Sequence, residues 1–314
     1  MSTSILSQPF FHNEEAAYEF IEARLWPHCA VCPHCGGTER NGKMGGTSTR
    51  IGTYKCYDCR KPFTVKVNTI FESSHIPLRL WLQAIFLISS GKKGISSNQL
   101  HRTLGITIKS AWFMSHRIRE AMRDNGLQIF GAGGGTVEVD ETFIDHDKTL
   151  KPKGEKKGRG FHHKNKVLSL VDRTTGQSRS VVIDDMKATT IIPILEANIA
   201  REARVMTDEA SHYGVVGRLF EGGHAYTKHS EGEYVSKTDR TTVHTNTVEG
   251  FFSVFKRGMK GIYQHCVHNH LNRYLAEFDF RYSNRVALGI NDFERAESLL
   301  QGVKGKRLTY QTPH

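Results

Sequence analysis

The chain has 314 residues, a mass of 35.5 kDa and a net charge of +11. Hydrophobic residues make up 38% and charged residues 24%, which excludes a collagen or a fully disordered chain. The longest apolar stretch, Leu80–Ile88, is interrupted by Gln83 and is far shorter than the ~20 residues of a membrane span. A chain this basic favours a polyanionic partner, most often nucleic acid. Residues 1–11 lack the basic start of a secretory signal, so we expect an intracellular, cytoplasmic protein.

The first predicted element is an amphipathic helix over residues 13–26. Asn13 is a typical N-cap residue, and Glu14 and Glu15 suit the positive end of a helix. Pro27 ends the pattern.

Two cysteine pairs follow the helix. Cys32 and Cys35 form one Cys-x-x-Cys turn, and Cys56 and Cys59 form a second after twenty intervening residues. Two such turns supply the four thiolate ligands that structural Zn²⁺ prefers, which predicts a zinc ribbon. Disulfides are the alternative and fit poorly with an intracellular chain. Cys29 stays open as a replacement for Cys32. A ribbon this small needs its metal to fold, so the zinc is structural.

Residues 77–124 are helical in pattern. We predict helices over Leu78–Ser90, Ser96–Thr103 and Thr107–Arg123, with a turn at Gly105. Two short helices around a glycine turn are typical of a helix-turn-helix, whose second helix enters the DNA major groove. A small helical bundle without a DNA role is the alternative. The residues expected to face DNA are Arg102, Thr107, Lys109, Ser110, His116 and Arg117.

A glycine-rich segment, Gly131–Gly135, predicts a linker and the main domain boundary. Beyond it, strands and helices alternate in the order of an α/β fold with a mixed sheet. The predicted strands are Thr136–Ile144, Val167–Asp172, Ser180–Ile183 and Ala203–Thr207. The predicted helices are Thr189–Ala200, between the third and fourth strands, and Asn246–Met259 and Asn269–Ser283 near the end.

A basic segment lies between the first two of these strands. Asp147–Lys166 holds eight Lys or Arg residues and two acidic ones, and we predict a mobile loop that contacts DNA phosphates. A solvated loop without function is the alternative. The residues expected to bind DNA are Lys151, Lys153, Lys156, Lys157 and Arg159.

Three carboxylates carry the chemistry that we predict. Asp140 lies within a strand, Asp208 follows the end of another, and Glu249 lies on a helix with Asn246 three residues before it and Lys256 seven residues after it. Carboxylates from two strands and a helix can hold two Mg²⁺ (or Mn²⁺) ions for in-line attack on phosphorus. For Asp140 alone, a strand-end salt bridge is the alternative. Glu138, Glu141 and Asp145 are further candidate ligands.

Several motifs resemble those of bacterial insertion-sequence transposases of the DDE class, in the subgroup with a zinc ribbon, a helix-turn-helix and a ribonuclease-H-like catalytic domain. The motifs are Val139-Asp140-Glu141-Thr142-Phe143-Ile144, Thr207-Asp208, the segment from His244 to Gly258, and the segment from Arg273 to Tyr282. The resemblance implies that Asp140, Asp208 and Glu249 are the catalytic triad, and that Asn246, Lys256 and Arg257 support catalysis or contact DNA. Asn246 stays open as the third catalytic position.

The resemblance also implies an α/β, ribonuclease-H-like fold, preceded by a small zinc ribbon and a helical helix-turn-helix domain. The expected domains are 1–72 (helix and ribbon), 73–130 (helix-turn-helix), 131–135 (linker), 136–300 (catalytic) and 301–314 (basic tail). Proteins of this kind bind terminal inverted repeats, cleave DNA 3′ ends and join them to target DNA, normally as homodimers or higher oligomers. In bacteria they are cytoplasmic and associated with the nucleoid. A DNA-binding regulator with an inert α/β domain and a metal-dependent nuclease of the same fold are the competing functions.

Overall fold

The protein forms two compact units. Residues 1–123 and 289–314 make up the first unit, and residues 124–288 make up the second. The computed structural model describes residues 4–123, 128–146, 164–210, 213–227, 235–237, 242–264 and 266–309. The predicted basic loop lies outside the described residues, including Lys151, Lys153, Lys156, Lys157 and Arg159.

The first unit joins a three-stranded antiparallel sheet to a group of helices. Its elements are α1 (Glu14–Leu25), β1 (Asn41–Lys43), β2 (Tyr54–Cys56), β3 (Pro62–Phe63), α2 (Leu78–Ser90), α3 (Ser97–Leu104), α4 (Ile108–Met122) and, much later in the sequence, α8 (Asp292–Gln301). The predicted helices over 13–26 and 77–124 are therefore confirmed. Asn13 caps α1 as predicted, because its side chain accepts a hydrogen bond from the Ala16 amide.

The C-terminal part of the described chain is built into the first unit. Leu299 and Leu300 of α8 are buried, and Val303 beyond the helix is fully buried. Gly302 lies so close to α4 that an added Cβ would meet the Ala121 carbonyl oxygen at 2.2 Å. Residues 301–309, the described part of the predicted basic tail 301–314, thus belong to the first unit.

The second unit is built on a mixed sheet. Its elements are β4 (Thr136–His146), β5 (Lys164–Asp172), β6 (Ser178–Ile183), α5 (Ala188–Asn198), β7 (Arg204–Thr207), β8 (His224–Tyr226), β9 (Ser236–Lys237), β10 (Thr242–Val243), α6 (Asn246–Gly258) with a π-helical turn at Met259–Tyr263, and α7 (His268–Ser283). Within the described residues the main sheet has five strands in the order β6-β5-β4-β7-β8. Strands β4, β5 and β6 pair antiparallel, whereas β7 pairs parallel to both β4 and β8.

Both faces of this sheet are covered. On β5, Leu168 and Leu170 pack into one core with residues of α5, and Val167 and Val171 pack into a second core with residues of α6 and α7. Alternate residues of a strand point to opposite faces, so β5 is apolar on both sides. The predicted fold class, a mixed sheet flanked by helices, is confirmed.

The glycine-rich segment forms a tight turn inside the second unit. The Gly135 amide donates to the Gly131 carbonyl at 3.0 Å, and the Gly131 amide donates to Asp172 Oδ2 at 2.9 Å. The segment is thus fastened to the end of β5. None of the helices in the described ranges is both long and apolar enough to cross a membrane.

Candidate functional site

The three carboxylates predicted from the sequence line one open cleft of about 440 Å³ in the second unit. Phe252 and Ser253 add part of the wall from α6. The lining residues are Asp140, Glu141, Thr142, Asp208, Glu249, Phe252, Ser253 and Lys256.

The sheet and α6 place these groups. β4 and β7 are parallel neighbours, and Glu138 pairs with Met206. Asp140 lies two residues after Glu138, and Asp208 lies two residues after Met206, just past the end of β7. Glu249 lies in the first turn of α6 and Lys256 in its last turn. Phe251 and Phe255 bury the opposite side of α6 in the core, which fixes the side of the helix that faces the cleft.

Local hydrogen bonds orient the carboxylates. Asp140 Oδ1 accepts the Glu141 amide at 2.7 Å, and Asp208 Oδ1 accepts the Ala210 amide at 3.0 Å. Glu249 Oε1 accepts the hydroxyl of Thr245 at 3.0 Å.

The concentration of negative charge perturbs the cleft. Burial raises the pKa of Asp140 to about 8, and the nearby charges of Glu141, Asp208 and Glu249 act in the same direction. Burial lowers the pKa of Lys256, although the charge of Asp140 opposes that shift. A cleft in which one carboxylate holds its proton because it is buried and because other carboxylates are close is suited to a multivalent cation.

Glu141 is a cleft residue whose setting the sequence did not reveal. Neighbours on a strand point to opposite faces, yet both Asp140 and Glu141 line the cleft. The hydroxyl of the buried Tyr213 donates to Glu141 Oε1 at 2.5 Å. No sequence motif pointed to Tyr213, since its role depends on a contact between distant segments.

The other predicted site residues lie around the cleft or away from it. Asn246 and Arg257 are exposed on α6 and are not among the described residues that line the cleft. Arg257 donates to the Ser253 carbonyl at 3.0 Å and to its hydroxyl at 2.9 Å. Glu138 is fully buried and binds protein groups instead. The side chain of Asp145 lies outside the described residues.

In the first unit, the four predicted cysteines form one cluster. The Sγ atoms of Cys32, Cys35, Cys56 and Cys59 all lie within 4.8 Å of one another. The Cys32–Cys59 and Cys35–Cys56 sulfur pairs are each 3.7 Å apart, close to the ~3.8 Å between ligands of a tetrahedral Zn²⁺ with bonds of ~2.3 Å. Cys29 is exposed and is not part of this cluster among the described residues. The donor set therefore fits zinc.

The two cysteine turns share a backbone geometry. Gly36 and Arg60, each directly after the second cysteine of its pair, have left-handed φ angles of +78° and +60°. The amide of Gly36 donates to the Cys32 carbonyl at 2.9 Å. Glycine adopts this conformation without strain, which explains the residue after Cys35.

The helices α3 and α4 meet at Gly105, whose φ of +65° ends α3. Thr107 caps α4 by accepting the Ser110 amide at 3.1 Å. Arg102, Thr107 and Lys109 are exposed, and Ser110 is half-buried.

Arg117 and His116 do not share that exposed surface, which corrects the prediction for both. Both side chains are buried. The guanidinium group of Arg117 donates to the carbonyl oxygens of Ile70 at 2.9 Å, Glu72 at 2.8 Å and Leu308 at 3.1 Å. Arg117 therefore joins segments of the first unit, because buried carbonyl groups need donors.

Two family models match parts of this chain. A family model described as an ISXO2-like transposase domain matches residues 133–283. A second model, described as a transposase zinc-ribbon domain, matches residues 12–62. A curated protein of Halobacterium salinarum, described as an uncharacterized protein in the transposable element ISH50, is 25% identical over 288 residues. That match covers 86% of this chain and 91% of the relative.

One solved structure is a simian T-cell lymphotropic virus intasome in complex with the PP2A regulatory subunit B56 gamma. It matches 64% of this chain with 13% identity and a TM-score of 0.29. The chain spans 65% of that relative, just under two thirds of its length. Similarity at this level supports no inference about the present chain.

Proposed function

We propose that this chain, which belongs to the insertion-sequence transposases that pair a zinc ribbon with an ISXO2-like transposase domain, cleaves DNA 3′ ends and joins them to target DNA. The DNA ends are the terminal inverted repeats of its element. The reaction depends on divalent metal ions held by Asp140, Asp208 and Glu249.

One observation carries this proposal. Asp140, Asp208 and Glu249 come from two neighbouring strands and a helix, and they line a single open cleft with Lys256. A regulator with an inert domain has no physical reason to gather three carboxylates beside a lysine in one cleft. An open cleft of this kind admits a nucleic-acid strand, which a closed pocket would exclude.

The carboxylates fit Mg²⁺ or Mn²⁺, because hard oxygen donors match these ions and because the crowded negative charge needs a cation. When bound, two such ions activate the attacking oxygen and stabilise the leaving oxygen of a phosphodiester. The protein groups would hold these ions and orient the phosphodiester. Lys256 lies in the same cleft and binds a phosphate oxygen next to the bond that is cut.

DNA binding uses the exposed part of the helix-turn-helix. Arg102, Thr107 and Lys109 contact phosphates and base edges, with Ser110 at the start of the second helix. Arg257 and Asn246, exposed on α6, contact DNA beside the cleft. The basic residues between β4 and β5 bind phosphates without sequence preference, and two or more subunits hold the paired ends.

The zinc ribbon binds a structural Zn²⁺ through Cys32, Cys35, Cys56 and Cys59. We expect one zinc per folded chain by elemental analysis. Folded, full-length protein that contains no zinc would refute the ribbon assignment. Cys29→Ser should keep the zinc, since Cys29 is exposed outside the cluster, whereas Cys32→Ser should lose it.

The reaction is tested by incubating full-length protein and Mn²⁺ or Mg²⁺ with DNA that carries candidate element ends. Joined products support transposition. Cut products without joining indicate a nuclease, and a gel shift without cleavage indicates a regulator, so either result overturns the proposal.

Variants decide which residue is the third ligand. Asp140→Asn, Asp208→Asn and Glu249→Gln should each abolish cleavage while leaving the gel shift intact. Asn246→Ala on the same helix removes a proposed DNA contact but no metal ligand, so it should weaken the gel shift and retain cleavage at saturating protein. The opposite result at Glu249 and Asn246 would assign the third position to Asn246.

A further inference from the structure

A buried carboxylate on β4 binds the start of α6. Glu138 is fully buried, and its Oε2 accepts the backbone amides of Thr247 and Val248, each at 2.9 Å. Its Oε1 accepts the hydroxyl of Thr247 at 2.6 Å. Thr245, the N-cap residue of α6, makes no side-chain capping bond of its own. Glu138 therefore supplies the cap from another element, and its charge suits the positive end of the helix.

Arg173, directly after β5, balances that charge. Its Nε donates to Glu138 Oε1 at 2.5 Å. Its two terminal nitrogens donate to the carbonyl oxygens of Thr242 at 3.0 Å and His244 at 2.7 Å. The same guanidinium group therefore binds Glu138 and the segment that leads into α6.

His244 completes the group as an acceptor. Arg173 Nη2 lies 2.8 Å from His244 Nδ1, so Nδ1 accepts this bond and carries no proton. Burial, followed by the charge of Arg173, lowers the pKa of His244, in agreement with a neutral ring. His244 Nδ1 is also 3.3 Å from Glu138 Oε1, but a nitrogen that accepts from Arg173 cannot donate there. The compensating charge for Glu138 is therefore that of Arg173.

The position of Glu138 links two cleft residues. Glu138 and Asp140 lie two residues apart on β4, and Val248, whose amide Glu138 binds, directly precedes Glu249 on α6. One rigid carboxylate thus connects the backbone that carries Asp140 to the backbone that carries Glu249. A shift of the helix start by a fraction of an ångström would change the separation of the two carboxylates.

We propose that Glu138, held by Arg173, is a positioning residue that sets the distance between Asp140 and Glu249 for divalent-cation binding. This inference rests on the proposed function of the cleft. Glu138 does not touch the cation, because its oxygens are occupied by α6 and Arg173. Its effect passes through the start of α6.

The test compares Glu138→Gln with wild type in the full-length chain. Glutamine keeps the size of the side chain but loses the charge, and it places an NH₂ group among donors. We expect Mn²⁺ affinity, measured as free Mn²⁺ by electron paramagnetic resonance, to fall about tenfold or more, as is typical of groups that orient metal ligands. We also expect faster hydrogen exchange of the Thr247 and Val248 amides in metal-free protein.

Glu277→Gln is the matched control. Glu277 is also fully buried, pairs with Arg281 on α7 and is not among the described residues that line the cleft. This variant should lose comparable stability and keep wild-type Mn²⁺ affinity and wild-type exchange at Thr247 and Val248. An equal loss of Mn²⁺ affinity in both variants would show a general effect of destabilisation and overturn the proposal.

Two further outcomes are distinguishable. If folded Glu138→Gln binds Mn²⁺ within twofold of wild type, Glu138 is a structural cap only and the positioning role is wrong. If wild type itself binds no Mn²⁺, the proposed function of the cleft fails first. Should Glu138→Gln not fold, Arg173→Lys replaces it, since lysine keeps the charge but cannot reach Glu138, Thr242 and His244 together. Unchanged Mn²⁺ affinity in folded Arg173→Lys would equally overturn the proposal.

Discussion

Two helices of this protein, α2 in the first unit and α6 in the second, begin in the same way. Neither N-cap residue, Pro77 or Thr245, makes a side-chain capping bond. A distant glutamate caps each helix instead. Glu14 accepts the amides of Leu78 at 2.7 Å and Arg79 at 3.1 Å, as Glu138 accepts two amides of α6.

The two glutamates differ in their surroundings. Glu14 is half-buried, whereas Glu138 is fully buried and paired with Arg173. Water screens the charge of Glu14, so two amides are enough to hold it. A fully buried carboxylate is stable only with a close countercharge and several donors. The same kind of cap is therefore a local support in α2. In α6 it belongs to a tightly coupled group, and that helix also carries Glu249 and Lys256 of the cleft.

The largest effect should come from Glu138→Ala. This change leaves the half-buried Arg173 without its partner and removes the buried cap of α6, so the free energy of unfolding should fall by about 3–5 kcal/mol. Urea denaturation followed by circular dichroism measures it. A loss below about 1 kcal/mol would mean that burial makes no difference between the two caps.

A smaller effect is expected from the coupling of Glu138 with Arg173. Because the two side chains compensate each other, Glu138→Gln with Arg173→Met should be less destabilising than the sum of the single changes. We expect a coupling energy of about 1–3 kcal/mol in a double-mutant cycle. If the two changes were strictly additive, Glu138 would cap α6 independently of Arg173, and the proposed compensation between the two side chains would be wrong.

The smallest effect belongs to the other helix. Glu14→Ala should lower the free energy of unfolding by about 1 kcal/mol, the usual cost of losing a cap in contact with solvent. Hydrogen exchange should increase at Leu78 and Arg79 and stay unchanged at Thr247 and Val248. A loss as large as that of Glu138→Ala would remove the distinction between the two helices.

Local patterns predicted much of this architecture. Some features depend only on residues that are close in sequence, so their periodicity predicts them. These are the apolar runs on β4 and β5, the turn at Gly105 and the apolar stripe on α6. The same holds for the cysteine turns, since four ligands at fixed spacing need little information from the rest of the fold. Asp140 within a strand, Asp208 at the end of another and Glu249 on a helix were also named from the sequence, and they line one cleft.

The remaining features depend on contacts between distant segments. Arg117 lies on a helix whose spacing suggested an exposed site, but its burial depends on carbonyl groups of Ile70, Glu72 and Leu308. Glu138 was a further candidate metal ligand in the sequence. No sequence pattern predicts its bond to the amide of Thr247, which lies 109 residues later in the chain. Tyr213 was missed for the same reason. Short strands such as β8 have too few residues for a period to show.

Construction of the first unit from both ends of the chain has a consequence for synthesis. On the ribosome, residues 1–123 emerge well before α8, and the whole second unit is translated in between. Until α8 is synthesised, the apolar surface that packs against Leu299, Leu300 and Val303 is exposed to solvent. Chaperones can bind this surface of the nascent chain. A product that terminates before Asp292 would contain the second unit with its carboxylate cleft but lack α8 of the first unit.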